Sequence, residues 1–240
     1  MLSSDTSDTT NDEKDTTKDM ELFHKYKNCG LSGLANVGNT CYLNSCMQIL
    51  SHTYELNEFL NNKDYRKNIN KKPDTVLLLE WDNLREMMWS DNCTIAPNGF
   101  INAVKKVSTM KQRDLFAGHE QNDIQEFLLF MIECFHTALA RDVNMQITGN
   151  VLNSTDILAK ECFEMMKTMY NKEYSEMLNI FYGIHVSEIS SCESGEPLSL
   201  RPEPFSLLSL PIPSDNDSPT LQDCMDLYCA KEELSGDNAW

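Results

Sequence analysis

Cys41 occupies the kind of position in which proteins make a thiol reactive. It follows a glycine-containing loop and begins a helical pattern, in the segment Gly33-Leu-Ala-Asn-Val-Gly-Asn-Thr-Cys-Tyr-Leu-Asn-Ser45. Backbone N–H groups at the start of a helix are unpaired and the helix dipole is positive there, so both favour a thiolate over a thiol. The pattern therefore indicates a cysteine nucleophile.

Asn36 precedes the thiol in the same segment and offers a second group for the same chemistry. Its side-chain amide can donate a hydrogen bond to the oxygen that becomes negative when a thiolate attacks a carbonyl. The alternative is that Cys41 is a buried helix residue and Asn36 a turn former, because free cysteine is among the most buried residue types. The residues alone leave these two interpretations evenly balanced.

The helix that positions Cys41 is predicted from one apolar stripe at helical spacing. Its members are Leu43, Cys46, Met47 and Leu50. Cys41 lies off this stripe, on a polar face with Ser45 and Gln48, and we expect Asn39 or Thr40 to cap the helix start. A core cysteine requires neither a polar face nor a helix start.

The remaining elements are predicted to be helical first and β-rich later, which is typical of the α+β class. Apolar spacing indicates helices at Thr75–Met88, Phe100–Val107 and Asn122–Ala140, and a helical stretch at 156–182 whose methionines fill the core. Residues 57–70 are expected to be loop-like around a short helical turn. The last predicted elements are strands at His185–Ile189 and Phe205–Ile212 and a helix at Leu221–Tyr228.

Composition excludes several classes of function. The chain has 240 residues and a net charge of −17, which argues against a nucleic-acid surface and suits a basic partner. The strongest apolar run, Phe127–Ile132, is far shorter than a bilayer span, so no membrane is expected. The N-terminus lacks the pattern of a secretory signal, which favours the cytoplasm or the nucleus.

The nine cysteines are scattered and contain no Cys-x-x-Cys pair. Neither a disulfide framework nor a zinc site is indicated, and we expect no metal and no cofactor. A cysteine hydrolase usually needs a histidine to accept the thiol proton. None of the five histidines is well placed by sequence, although two of them remain minor candidates, His119 and His185.

Two motifs resemble those of a known enzyme family. The segment from Gly33 to Ser45 is similar to the Cys box of the ubiquitin-specific proteases, papain-like thiol hydrolases that remove ubiquitin from proteins. The later segment Gln121-Asn-Asp-Ile-Gln-Glu-Phe-Leu128 resembles the family motif Gln-Gln-Asp-Ala-Gln-Glu-Phe-Leu. The resemblance implies that Cys41 is the nucleophile, and that Asp123, with Gln121 beside it, contacts the basic C-terminal tail of ubiquitin.

The resemblance covers about the first half of the family's catalytic domain and implies an α+β fold. A papain-like helical thumb lobe with the Cys box would occupy residues 28–182, and the start of a β-rich fingers region would occupy 183–240. Residues 1–27 would form a disordered acidic tail. The palm with the histidine box would be missing, because that box comes later in the family. The fingers would lack metal, because only Cys192 matches the first zinc-ligand pair.

The sequence therefore predicts a thiol-dependent hydrolase that removes ubiquitin from conjugates. Cys41 would attack the C-terminal carbonyl of ubiquitin, Asn36 would stabilise the oxyanion, and a histidine beyond residue 240 would complete the site. The expected partners are ubiquitin and ubiquitinated proteins. The alternative is an inactive relative that binds ubiquitin or another partner without cleaving it. A more remote alternative is an unrelated helical interaction protein in which Cys41 is structural. Exposed sheet edges and apolar surface are expected to cause self-association.

Overall fold

Helices follow one another from Cys41 to Leu139 and a β-hairpin comes later in the chain, so the predicted α+β class is confirmed. The computed structural model describes residues 20, 23, 24, 26–118, 120–214 and 217–236. Contacts divide the chain into two units. The first comprises Met1–Asp142 with Glu173–Ile180, and the second comprises Val143–Lys172 with Phe181–Trp240.

The first unit is mainly helical. Its described elements are β1 (Gly33–Leu34), α1 (Cys41–Ser51), α2 (Tyr54–Asn61), α3 (Tyr65–Asn68), α4 (Asp74–Ser90), β2 (Thr94–Ile95), α5 (Asn98–Met110), a 3₁₀ turn (Asp114–Phe116) and α6 (Ile124–Leu139). β1 pairs with β2 in parallel. This pairing fixes the loop that leads into α1 against the segment that follows α4.

The core of the first unit is centred on Trp81 of α4. Its ring is fully buried, stacks on Phe135 of α6 at 6.4 Å and meets Phe100 of α5 edge-on at 6.1 Å. Aromatic rings of this size contribute much of a core's burial energy. The apolar residues predicted for α1 and α4 are buried, namely Leu43, Cys46, Met47 and Leu50 in α1, and Leu77, Leu78, Trp81, Leu84 and Met88 in α4.

Residues 57–70 are more helical than predicted, because α2 and α3 occupy most of this range. Leu56 and Leu60 lie one turn apart and are fully buried, which docks α2 on the core. Asn57 is also fully buried, and its Nδ2 donates to the carbonyl oxygen of Ser51 at 2.7 Å. The polar residue Asn57 of this segment therefore makes a buried hydrogen bond and does not belong to a solvated loop.

Asp82 of α4 is the centre of a buried polar cluster. Its carboxylate accepts hydrogen bonds from Lys63 Nζ at 2.5 Å, Tyr65 Oη at 2.6 Å, Arg66 Nη2 at 2.8 Å and Arg85 Nη2 at 2.8 Å. Burial by itself raises the pKa of this carboxyl, but the four donors outweigh burial and lower the pKa to about 2. Asp82 is therefore ionised inside the first unit.

The second unit contains α7 (Ser154–Tyr170), the strands β3 (Gly183–Ser190) and β4 (Pro197–Phe205), and α9 (Leu221–Tyr228), whereas α8 (Met177–Phe181) begins in the first unit. β3 and β4 form an antiparallel hairpin in which Gly183 lies opposite Phe205. A Cβ at position 183 would lie 2.7 Å from the Phe205 ring, so glycine lets this ring pack directly on the backbone of β3. α9 has the predicted bounds.

Two predictions for the second unit are wrong. The strand predicted at Phe205–Ile212 is absent, because β4 spans Pro197–Phe205. Pro202 and Pro204 occupy alternate positions of β4, opposite Val186 and Ile184, and the pairing continues past both of them; the register shifts only farther along, between Ile189 and Ser190. The methionine prediction is wrong for α7, which has no buried residue and packs chiefly against β4. It is right for Met177 of the same predicted stretch, which is fully buried in α8.

The division into units differs from the predicted boundary between 182 and 183. Residues 143–172 belong with the hairpin, because α7 packs against β4. Residues 1–19 of the predicted tail lie outside the described residues. Tyr26, near the end of that tail, is buried and stacks on Tyr54 at 5.1 Å, so the first unit includes it.

Candidate active site

Cys41 is the first residue of α1 and its side chain is exposed, so the interpretation of this cysteine as a core residue is wrong. The prediction that Thr40 caps the helix is also wrong, because the Thr40 side chain makes no capping hydrogen bond to the first turn of α1. The Thr40 hydroxyl instead accepts from Val37 N at 3.3 Å and donates to Asn36 Oδ1 at 3.1 Å. The Thr40 side chain therefore does not cap the positive end of the α1 dipole, which lies beside the sulfur of Cys41. This environment is typical of nucleophilic cysteines.

Asn36 is held by its own loop in one orientation. Its Oδ1 accepts from Gly38 N at 3.1 Å and from Thr40 N at 3.2 Å. Backbone N–H groups can only donate, so the atom facing them must be the amide oxygen and not the amide nitrogen. The turn needs a glycine, since Gly38 has a φ of +115°. The donor atom of Asn36, Nδ2, therefore lies on the opposite side of the carboxamide from these contacts. The Asn36 side chain is exposed and contacts Thr40, the residue before Cys41.

Asp123 is the N-cap of α6. Its Oδ1 accepts from Gln125 N at 2.8 Å and from Glu126 N at 3.0 Å, which is a structural role at a helix start. Oδ2 takes no part in this cap, and the side chain is exposed. Gln121 precedes the helix and is exposed too. A carboxylate with one oxygen outside the cap can still attract a basic ligand.

Tyr42 connects the two motifs. Its ring meets the ring of Phe127 in α6 edge-on at 5.1 Å. Burial, the largest cause, raises the pKa of the Tyr42 hydroxyl. The starts of α1 and α6 are therefore in contact, which brings the loop of Asn36, the thiol of Cys41 and the cap Asp123 into one region of the first unit.

The loop before α6 is anchored by Phe116, whose buried ring lies 5.3 Å from Phe127 and 4.9 Å from Phe130. A cleft of about 210 Å³ lies between this loop, α5 and the loop before Cys41, and Tyr42 and Phe116 are among its lining residues. The aromatic cluster gives the thiol region a rigid base. Sequence reasoning missed Tyr42, although its place beside Cys41 was a usable signal.

No described histidine is hydrogen-bonded to Cys41. His52 follows the last residue of α1, about 16 Å along the axis from Cys41 at 1.5 Å per residue. His136 is a helix residue whose Nδ1 contacts Ser175 Oγ at 2.7 Å, and burial lowers its pKa. His185 belongs to the second unit, where it contacts the ring of Tyr228. His119 lies outside the described residues.

Metal and disulfide chemistry have no site among the described residues. No three His, Cys, Asp or Glu side chains in that part of the chain are gathered as metal ligands. All nine cysteines are described, and all are free. Of the helices that the structure describes, none has the length and apolar character needed to cross a bilayer.

Comparison with known proteins gives a match over most of the chain. The family model described as ubiquitin carboxyl-terminal hydrolase matches residues 32–211. The chain is 32% identical over 213 residues to ubiquitin carboxyl-terminal hydrolase Usp2 of Drosophila melanogaster, covering 88% of this chain and 22% of the relative. It is 32% identical over 214 residues to ubiquitin carboxyl-terminal hydrolase 2 of Homo sapiens, covering 87% and 34%. The chain thus spans about a third or less of these two relatives.

Solved structures share the fold. A chain of the SAGA DUB module Ubp8/Sgf11/Sus1/Sgf73 bound to monoubiquitin matches with a TM-score of 0.60 and 20% identity, covering 98% of this chain and 48% of that chain. The same module bound to ubiquitin aldehyde matches with a TM-score of 0.58 and 21% identity, covering 97% and 47%. At these identities the likeness is one of fold.

Proposed function

Because the chain belongs to the ubiquitin carboxyl-terminal hydrolase family, we propose that Cys41 is the nucleophile of a deubiquitinase, which removes ubiquitin from ubiquitinated proteins. The observation that carries the proposal is an exposed thiol at the first residue of α1, beside a carboxamide held in a fixed orientation. Relatives with this family name support the substrate class.

The reaction begins when the Cys41 thiolate attacks the carbonyl carbon at the C-terminus of ubiquitin. An S–C bond forms, and the carbonyl oxygen becomes an oxyanion. Asn36 Nδ2 donates a hydrogen bond to this oxyanion, and loss of one such donor typically lowers the rate about 100- to 1,000-fold. The C–N bond to the lysine then breaks, a general acid protonates the leaving amine, and water hydrolyses the thioester.

The general base and acid are proposed to come from residues outside the described part of the chain. The described histidines of the first unit make other contacts, as His52 does with Gln48 O and His136 with Ser175. A histidine in the remaining length of the relatives would supply both proton transfers. The chain by itself would then acylate Cys41 far better from a substrate whose leaving group needs no proton than from an isopeptide bond.

Asp123 and Gln121 are proposed to bind the basic C-terminal tail of ubiquitin. The Oδ2 atom of Asp123 lies outside the helix cap, next to the start of α6 that Tyr42 joins to α1. A tail that passes this carboxylate would approach the thiol. Nine free cysteines also suit a reducing compartment, so we place the protein in the cytoplasm or the nucleus.

The test is covalent labelling by ubiquitin that carries a C-terminal propargylamide. We expect the chain to gain the mass of one ubiquitin, and the Cys41→Ala variant to gain none. Cys93→Ala is the matched control, because Cys93 is also exposed in the first unit and has no proposed role. Labelling that persists in Cys41→Ala would contradict the proposal, and binding of ubiquitin without labelling would indicate the inactive relative.

A further inference from the structure

Asn44 of α1 holds the strand and loop that lead to Asn36. Its Nδ2 donates to the carbonyl oxygens of two consecutive residues, Leu34 at 3.2 Å and Ala35 at 3.2 Å. Asn44 lies one helical turn after Cys41 on the same rigid helix. One carboxamide therefore connects the helix that carries the thiol to the backbone just before the oxyanion donor.

These two hydrogen bonds restrict where Asn36 can lie. The peptide bond is planar, so the Ala35 carbonyl oxygen and the Asn36 nitrogen and Cα lie in one plane. Fixing the carbonyls of Leu34 and Ala35 fixes two consecutive peptide planes, the second of which ends at Asn36 Cα. The side chain of Asn36 is held at its other end by the N–H and hydroxyl of Thr40. Asn36 is thus held through its backbone by Asn44 of α1 and through its side chain by Thr40, which directly precedes α1.

Asn44 adopts this arrangement at a cost to the fold. Because its Nδ2 must face the two carbonyls, Oδ1 is turned away from them, and this atom is buried without a hydrogen-bond partner among the described residues. A buried acceptor without a partner destabilises a protein, and each such group calls for an explanation. A role that helps activity more than stability would explain it.

We infer that Asn44 is a positioning residue that holds Asn36 where it can donate to the oxyanion formed by Cys41. This inference depends on the proposed function, because it assigns Asn44 a role in the same reaction. Asn44 does not touch the reacting atoms. It acts through the Leu34 and Ala35 carbonyls on the placement of Asn36.

The experiment compares two ubiquitin probes on the same variants. A ubiquitin C-terminal thioester reacts when the Cys41 thiolate attacks its carbonyl; an oxyanion forms, the thiolate leaving group departs without needing a proton, and a Cys41–ubiquitin thioester remains. Ubiquitin propargylamide reacts when the same thiolate adds to an alkyne carbon and the neighbouring carbon takes a proton from water, so no oxyanion forms. The ratio of the two rates reports the oxyanion donor alone.

We expect Asn44→Leu to lower the thioester rate by about tenfold or more and the propargylamide rate by less than about twofold. Gln48→Met is the matched control, because Gln48 Nε2 donates to the same chain segment one turn away, at Ser32 O (2.8 Å), which does not adjoin Asn36. Gln48→Met should leave the ratio unchanged. In an Asn36→Ala background, Asn44→Leu should have no further effect on the ratio.

Each remaining result overturns the inference in a recognisable way. Equal losses with both probes would make Asn44 a structural residue only, and unchanged rates with both would show that the two hydrogen bonds do not place Asn36. In both cases the wild-type chain still reacts, so the proposed function survives. A wild-type chain that reacts with neither probe would reject the proposed function and this inference together.

Discussion

Replacement of Asp82 by asparagine tests whether the buried polar cluster stabilises the first unit through its charge. Asp82 is fully buried and Arg85 is almost so, with Nη2 of Arg85 at 2.8 Å from the carboxylate. The substitution keeps the shape of the side chain but removes the negative partner of Arg85 and Arg66, whereas Lys63 keeps Glu86 at 2.5 Å. Breaking a buried pair by removing one member costs about 3–5 kcal/mol. We expect a loss near the lower value, because Lys63 and Arg66 reach solvent.

Part of this loss depends on pH. The carboxyl has a pKa of about 2 in place of 3.8, which corresponds to about 2.5 kcal/mol of stability at roughly 1.4 kcal/mol per pH unit. Because the folded-state pKa is lowered, this stabilisation is complete above about pH 5 and is lost as the pH falls from about 4 towards 2. The asparagine variant has no such contribution. Its deficit relative to the wild type should therefore shrink in acid.

The assay is urea unfolding followed by the fluorescence of Trp81 and Trp89, near pH 7 and near pH 2.5. We expect the difference in unfolding free energy between wild type and Asp82→Asn to narrow by about 1.5 kcal/mol over this range. Asp64→Asn is the control, because Asp64 forms an exposed pair with Lys67 and should matter little at either pH. A deficit that stays constant with pH would refute the argument that Asp82 is ionised with a lowered pKa.

Three further predictions concern the site and its support. Iodoacetamide should modify Cys41 in the folded chain and spare Cys46, which is fully buried and whose pKa burial raises to about 12; equal modification by peptide mass spectrometry would contradict this. Asp123→Ala should lose about 1 kcal/mol of stability, and Asp123→Ser should lose much less because serine keeps a capping oxygen. Both variants should slow labelling by ubiquitin propargylamide if the carboxylate binds the ubiquitin tail. Phe116→Ala should cost about 3–5 kcal/mol in urea unfolding, because its buried ring packs on two phenylalanines, and a loss below about 1 kcal/mol would disprove the anchoring role.

Apolar periodicity predicted the helices that pack on the core with one face. The stripes of α1 and α4 are buried as expected, and the bounds of α9 agree with the prediction. The method failed where burial depends on partners from distant segments. Asn57 resembles a loop residue by type, yet it is fully buried, and Arg85 Nη1 from α4 donates to its Oδ1 at 3.5 Å.

The opposite error occurred in the second unit. Methionines at helical spacing indicate a core, but α7 contacts β4 and buries none of its residues. Met169 is more than half exposed for this reason. Periodicity reports which side chains share a face, whereas the number of elements packed around that face decides how much of it is buried.

The position of Cys41 was predictable because a helix start is a local feature, and local patterns are what a sequence displays most directly. The contributions of Tyr42 and Asn44 were missed. The place of Tyr42 beside Cys41 was a signal that it lies near the site, but apolar spacing does not show that its ring meets Phe127 of α6 or that Asn44 donates to the Leu34 and Ala35 carbonyls. Both residues belong to the first turn of α1 or directly follow it. The start of α1 therefore presents the thiol and also contacts the loop of Asn36 and the start of α6.

This arrangement divides the proposed reaction into two physically separate tasks. Attack on a carbonyl needs a thiol and an oxyanion donor, and the first unit places Cys41 and Asn36 together through contacts of α1 and of Thr40, the residue before it. Departure of a lysine amine also needs a proton, and no described histidine of that unit contacts the thiol. A thioester loses a thiolate, which leaves without protonation. The geometry of these residues therefore favours acyl transfer from a thioester over cleavage of an isopeptide bond, and only an added proton donor would make the two substrates comparable.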